Sequence, residues 1–135
     1  MNASVVVEKI NHKLEKLGGY AKIPLQRSGY FTARLVKKGV KVDNLGNQSF
    51  LPWIVFKEVI NLLNRNHGVA IRGDAMNAKL GDEGLPLDSV EGHIASVVYG
   101  KEVGDSVFRR ITPIACILVW AGICESKPKK LVLLK

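Results

Sequence analysis

From Ile114 to Ile123 the chain carries no charged side chain, yet the same segment is preceded by Arg109 and Arg110. A helix that is apolar all round has to be buried all round. The run is far short of the roughly 20 residues that a bilayer span needs. It therefore predicts the inside of a folded domain, with a charged end left to project. Val107, Ile111, Ile114, Leu118 and Ala121 recur at helical steps and predict one helix over 105–123. Pro113 either bends that helix or, with Thr112 as cap, opens a shorter one.

The remaining pattern predicts an α+β chain. Val7, Ile10, Leu14 and Leu17 make a helical stripe that Ser4 can cap and Gly18-Gly19 can end. Tyr20 to Leu25, Tyr30 to Val36 and Val40 to Asp43 read as short strands, with a turn at Lys37-Lys38-Gly39. At Ser49-Phe50-Leu51-Pro52 the pattern turns helical. Trp53, Phe56, Ile60 and Leu63 form the stripe, and Asn66-His67-Gly68 the stop. Val69 to Arg72 suits a short strand and 73–86 a polar loop. Asp88, with Glu91 three residues on, suits a capping box before a helix ending near Tyr99. Lys127-Pro128-Lys129-Lys130 is turn chemistry before a last strand, Leu131 to Leu134.

Charge bears on partners. The net charge is +8, which favours polyanions. Residues 1–50 contribute +6, residues 51–100 −2 and residues 101–135 +4, so the ends of the chain are expected to carry the binding face.

From Pro52 onward the expected order is helix, strand, helix, helix, basic turn, strand. That is the order of a helix-turn-helix with a β-wing. The expectation is thus a winged helix-turn-helix over 51–135 with an N-terminal helix and β-hairpin appendage over 1–50. In such a unit the third helix offers its polar start to the DNA major groove and the wing lies along the phosphates. Ser106, Arg109, Arg110 and Thr112 occupy that helix start, Lys101 precedes it, and Lys127, Lys129 and Lys130 occupy the wing turn. Arginine can bond guanine bidentately, whereas turn lysines position the protein on phosphates.

Phe56 to Leu63, Asn66-His67-Gly68, Asp88 to Tyr99, Phe108-Arg109-Arg110-Ile111, Trp120-Ala121-Gly122-Ile123 and Lys130-Leu131-Val132-Leu133 together resemble the winged-helix domain at the N-terminus of Mrr-type restriction endonucleases. The resemblance leaves the first 50 residues uncovered. It implies double-stranded DNA as partner, within a restriction, regulatory or mobile-element system. It implies no catalysis, because the nuclease domain of that family is not in the chain.

The residues themselves point away from an enzyme. Asp105 with Glu125-Ser126-Lys127 has the composition of a nuclease metal site, but Asp105 precedes a helix and Glu125 follows one. His12, His67 and His93 have no metal spacing, and Gly81 and Gly84 lack the ending of a phosphate loop. Cys116 and Cys124 fit no zinc site and read as buried thiols of a cytoplasmic protein. No cofactor, metal or membrane contact is expected. A homodimer is compatible with palindromic DNA, although no heptad seam supports it. Two alternatives stay open. One is a protein-docking winged helix. The other is an RNA-binding domain in which Tyr20, Tyr30 and Phe31 stack on bases beside the basic N-terminal strands.

Overall fold

A computed structural model describes residues 2–134. The chain forms α1 (Ala3–Lys16), β1 (Tyr20–Pro24), β2 (Tyr30–Val36), β3 (Gly39–Val42), β4 (Phe50–Pro52), α2 (Trp53–Arg65), β5 (Val69–Ile71), α3 (Val90–Val97), α4 (Ile111–Trp120), β6 (Cys124–Lys127) and β7 (Lys130–Leu133). The class is α+β, with four helices and two antiparallel sheets among the described residues. No helix among the described residues is long and apolar enough to cross a membrane.

The first sheet is a meander, β1-β2-β3-β4. Successive side chains of a strand face opposite sides. Ala21, Ile23, Phe31, Ala33, Val40, Val42 and Leu51 therefore enter the core, while Tyr20, Lys22, Tyr30, Arg34, Lys41 and Phe50 face out. Gly39 lets β4 approach, since a Cβ there would lie 2.3 Å from the Leu51 carbonyl oxygen.

The second sheet has the order β5-β7-β6. Between β5 and α4 lie α3 and two long irregular segments. Ser89 caps α3, its hydroxyl oxygen accepting the Gly92 N–H at 3.0 Å. Gly92 is needed at this point because a Cβ would come within 2.0 Å of the Pro86 carbonyl oxygen.

The main buried cluster draws on both halves of the chain. Val6, Ile10 and Leu14 of α1, the inner face of the first sheet, α2, α3, α4 and Leu131 of β7 all belong to it. The expected boundary between residues 50 and 51 falls inside β4, and residues from both sides share this core.

The third helix of the expected winged unit is corrected at both ends. Helix α4 spans Ile111–Trp120, and 105–110 has no regular structure. Val107 belongs instead to a second buried cluster, with Leu80, Leu85 and Ala95 under the 73–87 loop. Its place in the helical stripe was coincidence of spacing. The helix starts where it does because the Glu91 carboxylate accepts the backbone N–H of Arg110 at 3.0 Å and of Ile111 at 3.1 Å. Two orphan donors of the helix start are thus satisfied from α3. Pro113 falls in the first turn, where its missing N–H costs nothing. Glu91 is spent on α4, so the expected capping box with Asp88 does not form, and Ser89 is the cap.

Candidate nucleic-acid interface

Two exposed cationic surfaces stand out, one at the α4 tip and the β6–β7 turn, the other on the outer face of the first sheet.

At the first, the expected residues divide. Arg109 is exposed, with Nη1 3.0 Å from Met76 Sδ. Arg110 is not available. Only 8% of it is exposed, and its guanidinium carbon lies 3.7 Å from the Tyr99 ring centroid and 4.8 Å from that of Phe108. Its Nη2 donates to Gln48 Oε1 at 2.7 Å. Arg110 is therefore not the projecting residue expected at the helix start. The two neighbours part because Arg110 is held inward by Tyr99, Phe108 and Gln48, while Arg109 stays at the surface. Lys101 and Ser106 are exposed in the segment before α4, and Thr112 is half-buried in its first turn. Helix α4 itself bears no charged side chain, and its outward residues are Thr112, Cys116, Val119 and Trp120.

Lys127, Lys129 and Lys130 do meet at the β6–β7 turn, where Lys127 and Lys130 are cross-strand partners and Lys129 has φ 61°. Lys127 is engaged by Glu125 at 3.1 Å. Arg72, which the sequence reading did not single out, ties this turn down. Its backbone N–H donates to the Lys129 carbonyl at 3.0 Å, and its guanidinium donates to the Ser126 hydroxyl. Burial holds the Arg72 guanidinium below its ordinary range, and the charge of Arg109 pushes the same way. A depression of about 260 Å³ separates the β1–β2 turn, at Pro24, Leu25 and Gln26, from Arg72 and Ser126. Its floor is Ala115, Cys116 and Val119 of α4, which is apolar.

The second surface is more unusual. The strand register sets Tyr20, Arg34, Lys41 and Phe50 in one row across the four strands. Tyr20 is 58% and Phe50 42% exposed. Among the described residues the ion pairs are His93–Glu58 and Lys127–Glu125, so neither Arg34 nor Lys41 has a carboxylate partner. Like charges directly opposite on a sheet destabilise it. Below this row Tyr30 is 61% exposed, with Lys22 Nζ 4.7 Å from its ring centroid. Phe31, expected to stack with these tyrosines, is buried; it has the parity of Ala33 and so faces the core. Beside Arg34 and Lys41 an open recess of about 540 Å³ is lined by Thr32, Asp43, Gly46 and Ser49 as well.

Strand parity was the signal for this face. Tyr30, Thr32 and Arg34 alternate with Phe31, Ala33 and Leu35 in the bare sequence. The alignment of Arg34 with Lys41, and the strand that brings Phe50, had no such signal.

Among the described residues no group of three or more His, Cys, Asp or Glu side chains is placed to hold a metal. No protein family, curated protein or solved structure matches this chain.

Proposed function

We propose that this chain binds single-stranded nucleic acid on the outer face of its first sheet. One observation carries the reading: Arg34 and Lys41 face each other unpartnered, between the exposed rings of Tyr20 and Phe50. A polyphosphate backbone relieves the like-charge pair, and unpaired bases offer π-faces to the rings. Stacking on an aromatic platform contributes about 1–3 kcal/mol per base. A duplex keeps its bases stacked on one another and cannot use those rings. Between Tyr20 and Pro52 there are six Lys/Arg against one acid, so the field around this face is positive.

Fluorescence anisotropy with a labelled single strand, and with the same sequence as a duplex, tests this. The single strand is expected to bind more tightly, and Arg34→Ala and Lys41→Ala to weaken it. Equal or tighter binding of the duplex, unaffected by both variants, would overturn the reading.

A second reading is favoured by the strand order β5-β7-β6 following α2 and enclosing α3 and α4. This is the arrangement expected of a winged helix, as in the Mrr-type resemblance. On this reading duplex DNA lies along Arg109, Lys129 and Lys130, held through phosphates alone. The uncharged α4 and the burial of Arg110 leave it without a base-reading arginine on the helix. Its test is a loss of duplex affinity in Arg109→Ala and Lys129→Ala.

A further inference from the structure

The recess beside Arg34 and Lys41 has a feature that phosphate binding does not use. Its wall includes Asp43, the one acidic residue between Tyr20 and Pro52. Asp43 is fixed in place. Its Oδ1 accepts the Thr32 N–H at 2.9 Å, and its own N–H donates to the Thr32 carbonyl at 3.2 Å. An ionised carboxylate is acceptor-only, with room for about four hydrogen bonds, so one bond leaves most of that capacity unused. Beside a guanidinium and an ammonium, this carboxylate works against a plain anion. The ligand that satisfies all three groups carries negative charge for Arg34 and Lys41 and an N–H or O–H donor for Asp43. A nucleotide has both within one unit, and the recess is of ligand size.

We propose that this recess seats one nucleotide of the bound strand, its phosphate against Arg34 and Lys41 and a hydrogen-bond donor of the same nucleotide against Asp43. This inference rests on the sheet-face reading above. The donor is an exocyclic amine, as on cytosine, a ring N–H, as on uracil, or the ribose 2′-hydroxyl. Asp43 thereby gives selectivity to a surface whose aromatics and cations are indifferent to sequence.

The test is the affinity of the full chain for four homopolymers, oligo-rC, oligo-dC, oligo-rU and oligo-dU, at neutral pH and fixed salt. A preference of roughly five- to tenfold is expected along one axis. Cytosine over uracil in both sugars identifies the amine, and uracil over cytosine the ring N–H; ribose over deoxyribose with both bases identifies the hydroxyl. Asp43→Asn keeps an amide oxygen for the Thr32 N–H. It is expected to bring the four affinities within about twofold of one another, the preferred oligomers losing the advantage that the bond to Asp43 gave them. Wild-type affinities all within about twofold, or a preference that survives Asp43→Asn, would overturn the proposal and leave the sheet-face reading standing. Failure of the wild type to bind any of the four would overturn both. The wild-type comparison stands alone should the variant not fold.

Discussion

Arg34 on β2 and Lys41 on β3 are cross-strand partners on an exposed face, and no carboxylate among the described residues pairs with either. Two cations held opposite each other cost the folded chain something. Their removal should therefore act on stability and on binding with opposite signs.

Arg34→Ala and Lys41→Ala are each expected to raise stability by a few tenths of a kcal/mol, the scale of a cross-strand pair. Each should also weaken single-strand binding and flatten the slope of log affinity against log salt by about 0.7, the contribution of one phosphate contact on a single strand. Urea unfolding and a salt series of anisotropy titrations check the two halves.

Tyr20→Ala and Phe50→Ala should behave differently. Neither ring is in the core, so stability should change by less than about 0.5 kcal/mol. Single-strand affinity should fall by about 1–3 kcal/mol for each, with the salt slope unchanged, because stacking releases no counterions. Phe31→Ala is the contrasting variant. It empties a core position and should cost about 3–5 kcal/mol of stability.

Arg110→Ala should unfold more easily than wild type by roughly 2–3 kcal/mol, having lost the stacking on Tyr99 and Phe108 and the bond to Gln48. Gln48 belongs to the segment between β3 and β4 that borders the recess, so this variant should also loosen the recess. Arg109→Ala, one residue away but exposed, should be near neutral in stability. Equal urea midpoints for the two variants would contradict the opposed placement of these neighbours.

Glu91 sets a pH dependence. Burial raises its carboxyl to about 7, against the lowering effect of the Arg110 and Ile111 N–H groups and the Arg110 charge. The folded chain then binds a proton that the unfolded chain has released between about pH 4.5 and about 7. The stabilisation linked to this proton is complete below about pH 4.5 and is lost as pH rises through about 7, an effect of roughly 2–4 kcal/mol. Urea midpoints measured across that window should fall with rising pH in wild type. The fall should be absent in Glu91→Gln.

The same residues explain what the sequence could and could not reveal. Helix α2 is legible because Pro52 and Asn66 bracket an unbroken apolar stripe. The N-terminal strands are legible because their parity is clean. The start of α4 is not legible, because the group that sets it, Glu91, lies about 20 residues upstream and acts only once α3 has docked. Val107 then mimics a helical position while packing in another cluster. The sheet-face row was hidden by its turn. A three-residue turn at Lys37-Lys38-Gly39 would pair Val36 with Val40. The two-residue turn that forms pairs Val36 with Gly39, and so Arg34 with Lys41. It needs Lys38 at φ 68°, a conformation that a lysine does not announce. Short β4 was hidden too, since Phe50 to Pro52 doubles as the approach to α2.

The most direct measurement is a nuclear magnetic resonance titration of the isotope-labelled chain with a short single-stranded oligonucleotide. The amide shifts of Tyr20, Arg34, Lys41 and Phe50 should move together in one saturable event, while those of Arg109, Lys127, Lys129 and Lys130 stay in place. Shifts confined to Arg109 and the β6–β7 turn, with the four sheet residues unmoved, would contradict the account.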